Sequence, residues 1–154
     1  MVYFAYGSNL NWEQMRSRCP SACFVSTARL ENYRLAFTRR SQKRQCGVAD
    51  VVHAPGCEVW GVLYEITGAD MELLDRAEGF VPGGIANRYE RVERAVTQVT
   101  GSRYQTVTAF VYEANRQANP PLPSIEYKRL IVEGAKHWKL PQAYLLGLEA
   151  ITVG

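Results

Sequence analysis

Apolar and polar positions along the chain switch between two rhythms, and the switches mark its elements. Val2–Tyr6 is β-branched and aromatic and predicts a strand almost at the start. Gly7-Ser8-Asn9 breaks it, and Asn11 with Gln14 resembles a capping box opening a short helix over Trp12–Arg18. Ala22–Leu30, Tyr33–Thr38 and Gly47–Val52 read as strands separated by polar turns, with Ala54-Pro55-Gly56 as a further turn. Glu58–Ile66 carries the clearest period of two, with Trp60, Val62, Tyr64 and Ile66 on one face.

The rhythm then lengthens. Thr67 or Asp70 caps a helix that ends at Gly79. Arg88–Val99 and Arg103–Glu113 flank Thr100-Gly101-Ser102 and predict a hairpin. Beyond Asn119-Pro120-Pro121-Leu122-Pro123, Ser124 caps the longest helix, where Tyr127, Leu130, Ile131, Gly134, Ala135 and Trp138 repeat at i, i+3, i+4 and i+7. Pro141 starts a last short helix over Gln142–Ala150. Strands come in runs rather than alternating strictly with helices, which predicts an α+β fold. No repeat or dividing linker interrupts the 154 residues, so 1–154 reads as a single domain.

Charge and cysteines narrow the function classes. A net charge of +3 is far from the asymmetry of a nucleic-acid binder. No apolar run approaches the ~20 residues of a membrane span. Cys19, Cys23, Cys46 and Cys57 form no C-x-x-C pair, and His53 and His137 are the only histidines, so no metal set is expected. The opening Met-Val-Tyr-Phe has no basic leader segment, and a cytoplasmic protein with reduced thiols is expected.

Few residues offer chemistry. Tyr6-Gly7-Ser8-Asn9-Leu10 is a strand-to-helix turn that reads either as a plain turn or as a backbone cradle for an anion. Glu78 follows Met71 and Leu74 on the apolar face of its helix, in the last turn before Gly79. Desolvation and the negative helix end both push its pKa up toward the range useful to a general base. A solvated carboxylate at a frayed end is the other reading. Tyr127 reads as a packed tyrosine whose hydroxyl needs a partner. The basic cluster Arg39-Arg40-Ser41-Gln42-Lys43-Arg44 has no interleaved aromatic residue and reads as a solvated loop.

Taken in order, a set of motifs resembles one family over nearly the whole chain. They are Tyr3-Phe4-Ala5-Tyr6-Gly7-Ser8-Asn9-Leu10, Cys19-Pro20-Ser21-Ala22 leading to Ala28-Arg29-Leu30, and Glu58-Val59-Trp60-Gly61-Val62 with Tyr64. Leu74-Asp75 with Glu78-Gly79 follows, then Tyr127-Lys128 and Gly134-Ala135-Lys136. The set resembles the γ-glutamylcyclotransferases, within the group sharing the AIG2-like fold. That resemblance implies a small mixed β-barrel with flanking helices. It implies that Tyr3, Phe4, Ala5, Tyr6, Gly7 and Ser8, with Asn9 adjacent, cradle a γ-glutamyl group, that Tyr127 borders it, and that Glu78 is the acid/base.

The implied reaction closes the substrate's α-amine onto its own γ-carbonyl, releasing 5-oxoproline and an amine or amino acid, with no metal and no organic cofactor. Proteins specific for glutathione resemble the chain less, since their opening motif usually lacks the Asn that stands here at Asn9. The glycine-rich stretch from Phe80 to Ala86 is expected to form a lip that selects the leaving amine. A γ-glutamyl amino acid is the preferred substrate. A γ-glutamylamine, a γ-glutamyl-protected biosynthetic intermediate, or a non-catalytic binding protein of this fold remain as alternatives. The expected partner is this small molecule, with no nucleic acid and no membrane, and a homodimer stays open.

Overall fold

A computed structural model describes residues 1–154. Five strands, β1 (Val2–Ala5), β2 (Cys23–Ser41), β3 (Cys46–Glu65), β4 (Tyr89–Thr100) and β5 (Arg103–Ala114), close into a barrel in the order β1-β3-β2-β4-β5. All neighbours run antiparallel except β1 and β5, which meet in parallel at Tyr3 and Phe110 and make the barrel mixed. Helices α1 (Trp12–Arg18), α2 (Gly68–Glu78), α3 (Ile125–His137) and α4 (Gln142–Glu149) flank it. No helix is long and apolar enough to cross a membrane. Thirty-three buried residues form one apolar core.

Two expected breaks do not end strands. The strands expected at Ala22–Leu30 and Tyr33–Thr38 run together as one, which begins at Cys23, and Ala54-Pro55-Gly56 lies inside β3 rather than between strands. Glu31 pairs with Glu58 and Tyr33 with His53, so residues 54–57 bulge opposite Asn32 alone. Asn32 and Gly56 both take left-handed backbone, φ 65° and 85°, and the Gly56 N–H donates to Asn32 Oδ1 at 3.2 Å. The turn chemistry is present, but ladders on both sides turn it into a bulge that bends the hairpin. The alternation of Glu58–Ile66 is also incomplete. Val59 and Leu63 are as buried as Val62 and Tyr64, because helices cover the outer face of a strand whose inner face fills the barrel.

The helix signals are local and hold. Thr67 and Asp70 form a reciprocal capping box on α2, and Gly79 ends it in left-handed backbone at φ 69°. Ser124 accepts from the Tyr127 N–H at the start of α3. At α1 only half of the expected box forms: Asn11 accepts from the Gln14 N–H, while the Gln14 side chain turns elsewhere. Helix α3 lies directly on the 3₁₀ turn Ser8–Leu10. A Cβ on Gly134 would fall 2.3 Å from the Leu10 carbonyl carbon, so the missing side chain sets this close approach. Trp138 Nε1 donates to Leu10 O at 3.0 Å and pins the same turn from the helix end.

Candidate active site

β1 runs into the turn at Gly7–Asn9, α2 ends at Glu78, and the start of α3 delivers Tyr127, and the three segments meet around a shared space. Two cavities open there. The inner one, about 310 Å³ of empty volume, is walled by Tyr3, Tyr6, Tyr89, Tyr112 and Tyr127 and by the turn Gly7-Ser8-Asn9. The outer one, about 530 Å³, opens beside it. Ser8, Glu78, Tyr89 and Tyr127 border both.

Glu78 is the single acid in either lining. Met71 and Leu74 are buried on the same helix face, and the Glu78 side chain keeps 17% exposure. Burial pushes its carboxyl pKa up, against the opposing pull of Arg18, Arg44, Arg88 and the Asn9 amide. Asn9 Nδ2 lies 3.4 Å from Glu78 Oε1 and 2.9 Å from the Tyr3 hydroxyl. Arg18 Nη1 donates to Asn9 Oδ1 at 2.9 Å, as Gln14 Nε2 does at 3.0 Å. Tyr64 Oη donates to the Asn9 carbonyl at 2.9 Å. Asn9 is therefore held at both ends, and its amide hydrogens are directed at Glu78 and Tyr3.

The inner walls are neutral phenols. Burial raises the pKa of Tyr3, Tyr6 and Tyr89 well above the ordinary value and pushes Tyr127 up to about 12. Each stays protonated near neutral pH and acts as a hydrogen-bonding surface. Tyr127 Oη accepts from the Ala49 N–H at 3.0 Å, which leaves its own proton free to be donated. Tyr6 donates to Tyr112 O and Tyr89 to Ala49 O.

Of the residues expected at the site, Tyr3, Tyr6, Gly7, Ser8, Asn9, Glu78 and Tyr127 line a cavity. Phe4 and Ala5 line neither; both are fully buried, and Phe4 packs toward Gly61 and the Tyr6 ring. The stretch from Phe80 to Ala86 lines neither cavity. Asn87 ties it back on itself through both Val81 N and Val81 O.

The outer wall comes instead from the basic cluster, read from sequence as a solvated loop. Arg39, Arg40, Ser41, Lys43 and Arg44, at the tip of the β2–β3 hairpin, line the outer cavity. The aromatic partner absent from the local sequence arrives from α3, since the Arg44 guanidinium sits 5.0 Å from the Tyr127 ring centre. Arg44 also donates to Gln14 Oε1 at 2.7 Å, which explains why Gln14 does not complete its capping box. Arg88 was not foreseen either. Its guanidinium fills the space beside Gly79, where a Cβ would lie 2.1 Å from Arg88 Nε. Tyr89 and Tyr112 carry no local signal, since each is one aromatic among many in a strand.

The four cysteines are all unpaired, and no group of three or more His, Cys, Asp or Glu stands together in a way that could hold a metal ion.

Comparison with known proteins bears on this site. A family model described as gamma-glutamyl cyclotransferase, AIG2-like, matches residues 3–132. The chain is similar to the gamma-glutamylcyclotransferases of Mus musculus, at 37% identity, and Homo sapiens, at 36%, over 97% of its own length and 78% of theirs. Among solved structures, a gamma-glutamyl cyclotransferase superposes with a TM-score of 0.89 at 34% identity, covering 100% of this chain and 89% of the other. A yeast gamma-glutamyl cyclotransferase specific to glutathione, at 14% identity, covers 96% of this chain and 93% of its own with a TM-score of 0.67 and shares the fold alone.

Proposed function

The chain belongs to the AIG2-like γ-glutamyl cyclotransferase family, and we propose that it is itself a γ-glutamylcyclotransferase that cyclises a γ-glutamyl amino acid with Glu78 as general acid/base. The observation that carries this reading is the position of Glu78 on the border of both cavities, the inner one neutral and the outer one basic. In this reading the γ-glutamyl group lies in the inner cavity against the turn. The leaving amino acid lies in the outer one, so the scissile amide falls beside the carboxylate.

The substrate's α-amine nitrogen attacks the γ-carbonyl carbon, forming the five-membered ring. Glu78 takes a proton from that nitrogen and returns it to the leaving nitrogen as the original amide C–N bond breaks. The raised pKa suits both halves, since a carboxyl that is too acidic would hold no proton to return. Base and acid action of this kind contributes roughly 10²–10⁴-fold. The fixed walls contribute by holding a flexible glutamyl chain near attack geometry. Tyr3, Tyr127 and the turn Gly7-Ser8-Asn9 are assigned to substrate binding, with hydroxyl and backbone N–H groups meeting the carboxylate or developing oxyanion, while Tyr6, whose own proton goes to Tyr112 O, is assigned to the wall against which the substrate packs.

The reading takes residues 1–154 as one catalytic domain, supported by the single apolar core. It places the protein in the cytoplasm, where four unpaired cysteines are compatible with the redox state. Incubation with γ-glutamylalanine, following 5-oxoproline and free alanine, tests the activity. The two products should appear in equal amounts. Release of glutamate with alanine would indicate hydrolysis, and no product from this or from γ-glutamyl conjugates of other amino acids and amines would remove the catalytic reading.

A further inference from the structure

The outer cavity holds more positive charge than its neighbours neutralise. Arg39, Arg40, Lys43, Arg44 and Arg88 line it, and none lies within ion-pair distance of a carboxylate. The one acid of the lining, Glu78, already has Arg18 at 3.7 Å. The guanidinium groups on the hairpin donate to neutral acceptors. Arg39 donates to Asn115 O at 2.8 Å, Arg40 to Gln45, and Arg44 to Gln14. Arg39 Nε is buried with no acceptor. A buried donor left unpaired is costly, and five like charges on one rim repel each other until an anion joins them.

We propose, resting on the cyclotransferase reading, that this rim is a leaving-group subsite selecting γ-glutamyl conjugates of dicarboxylic amino acids. Guanidinium groups bind carboxylates through paired N–H donors, and a cavity lined by one sign of charge concentrates the opposite ion. The inner cavity's donors, the turn Gly7-Ser8-Asn9 and the phenols, are taken by the γ-glutamyl group in this reading, and Glu78 sets a carboxylate on its border, so the additional anion of the leaving group belongs in the outer one. A γ-glutamylamine brings no carboxylate to the rim, a γ-glutamyl neutral amino acid brings one, and γ-glutamylglutamate brings two.

The test compares γ-glutamylglutamate with γ-glutamylglutamine, which differ by a carboxylate and an isosteric amide. Release of 5-oxoproline gives kcat/KM for each. The ratio should favour γ-glutamylglutamate by about tenfold at low salt, equivalent to about 1.4 kcal/mol. It should shrink as ionic strength rises from about 0.01 M to about 0.15 M, where the screening length falls from roughly 30 to 8 Å. In the Arg40→Gln/Lys43→Gln variant, and separately in Arg44→Gln, the ratio should fall toward one, with circular dichroism confirming the fold. A ratio near one in the unaltered enzyme with both substrates turned over would overturn the selectivity while leaving the cyclotransferase reading intact. A high ratio that survives both variants would overturn the assignment to these residues. If a variant does not fold, the substrate pair and its salt dependence decide on the unaltered protein. Absence of 5-oxoproline from every substrate would remove the cyclotransferase reading, and this proposal with it.

Discussion

Arg18 stands nearer to Asn9 than to Glu78: its Nη1 lies 2.9 Å from Asn9 Oδ1 and 3.7 Å from Glu78 Oε1. The guanidinium thus lends Glu78 a nearby positive charge without a close hydrogen bond to occupy the carboxylate. Burial still dominates, and the carboxyl pKa stays raised. The arrangement keeps the carboxylate oriented by Asn9 and available for proton transfer.

Replacing Glu78 with Gln preserves shape and removes the titrating group. We expect kcat to fall by at least about 10²-fold, with a much smaller change in KM. Stability should move the other way. A carboxyl with a raised native pKa binds its proton more readily in the folded than in the unfolded chain, so stability falls as pH rises from about 4.3 through the native value. Above that window the cost of burying the charge is fully present, and Glu78→Gln should melt at or above the temperature of the unaltered protein at about pH 8. A variant that retains turnover would remove Glu78 from the mechanism.

Arg18→Met removes the largest of the influences that lower the Glu78 pKa. The carboxylate then becomes harder to ionise. Since the base works deprotonated, the acid limb of the kcat/KM profile should move to higher pH. An unchanged acid limb would mean that another group sets it.

Gly7 has φ −110°, which other residues adopt, so crowding rather than backbone strain decides what a side chain does there. An added Cβ would meet Ala49 Cβ at 3.2 Å and the Tyr127 hydroxyl at 3.7 Å. Gly7→Val should therefore impair kcat and KM together, pushing on the wall that carries Tyr127. Ser8→Ala should do less, because the backbone N–H remains, although it removes the acceptor for Gln14 Nε2 at 2.8 Å. Steady-state kinetics on folded variants checks this order, and unchanged kinetics in Gly7→Val would place the ligand elsewhere.

Tyr127→Phe leaves the buried Ala49 N–H without its acceptor, and should cost about 1–3 kcal/mol in a denaturant melt. Its kinetic loss should fall between those of Ser8→Ala and Gly7→Val if the hydroxyl also meets substrate. A loss of stability with normal kinetics would make Tyr127 a structural support of the wall.

The sequence by itself determined what is settled within a few residues of chain. The capping box of Thr67 and Asp70, the left-handed end at Gly79, the Ser124 cap and the hairpin at Gly101 are all local, and each was legible. Glu78 was legible as a candidate because its helix face and helix end are properties of one eleven-residue segment. Its resolution from a solvated end into a cavity wall was not, since the groups around it come from Asn9, Arg18, Arg44 and Arg88. Only the tertiary structure decided that residues 54–57 bulge rather than turn, because the ladders flanking them continue across 31 and 33. It also decided that the basic hairpin tip faces a site. Tyr127, the ring beneath Arg44, is contributed by a helix far along the chain, and no window of sequence contains both. Cavities are bounded by contacts between segments that hydrophobic periodicity orders separately, so their charge balance exists only once the barrel has closed.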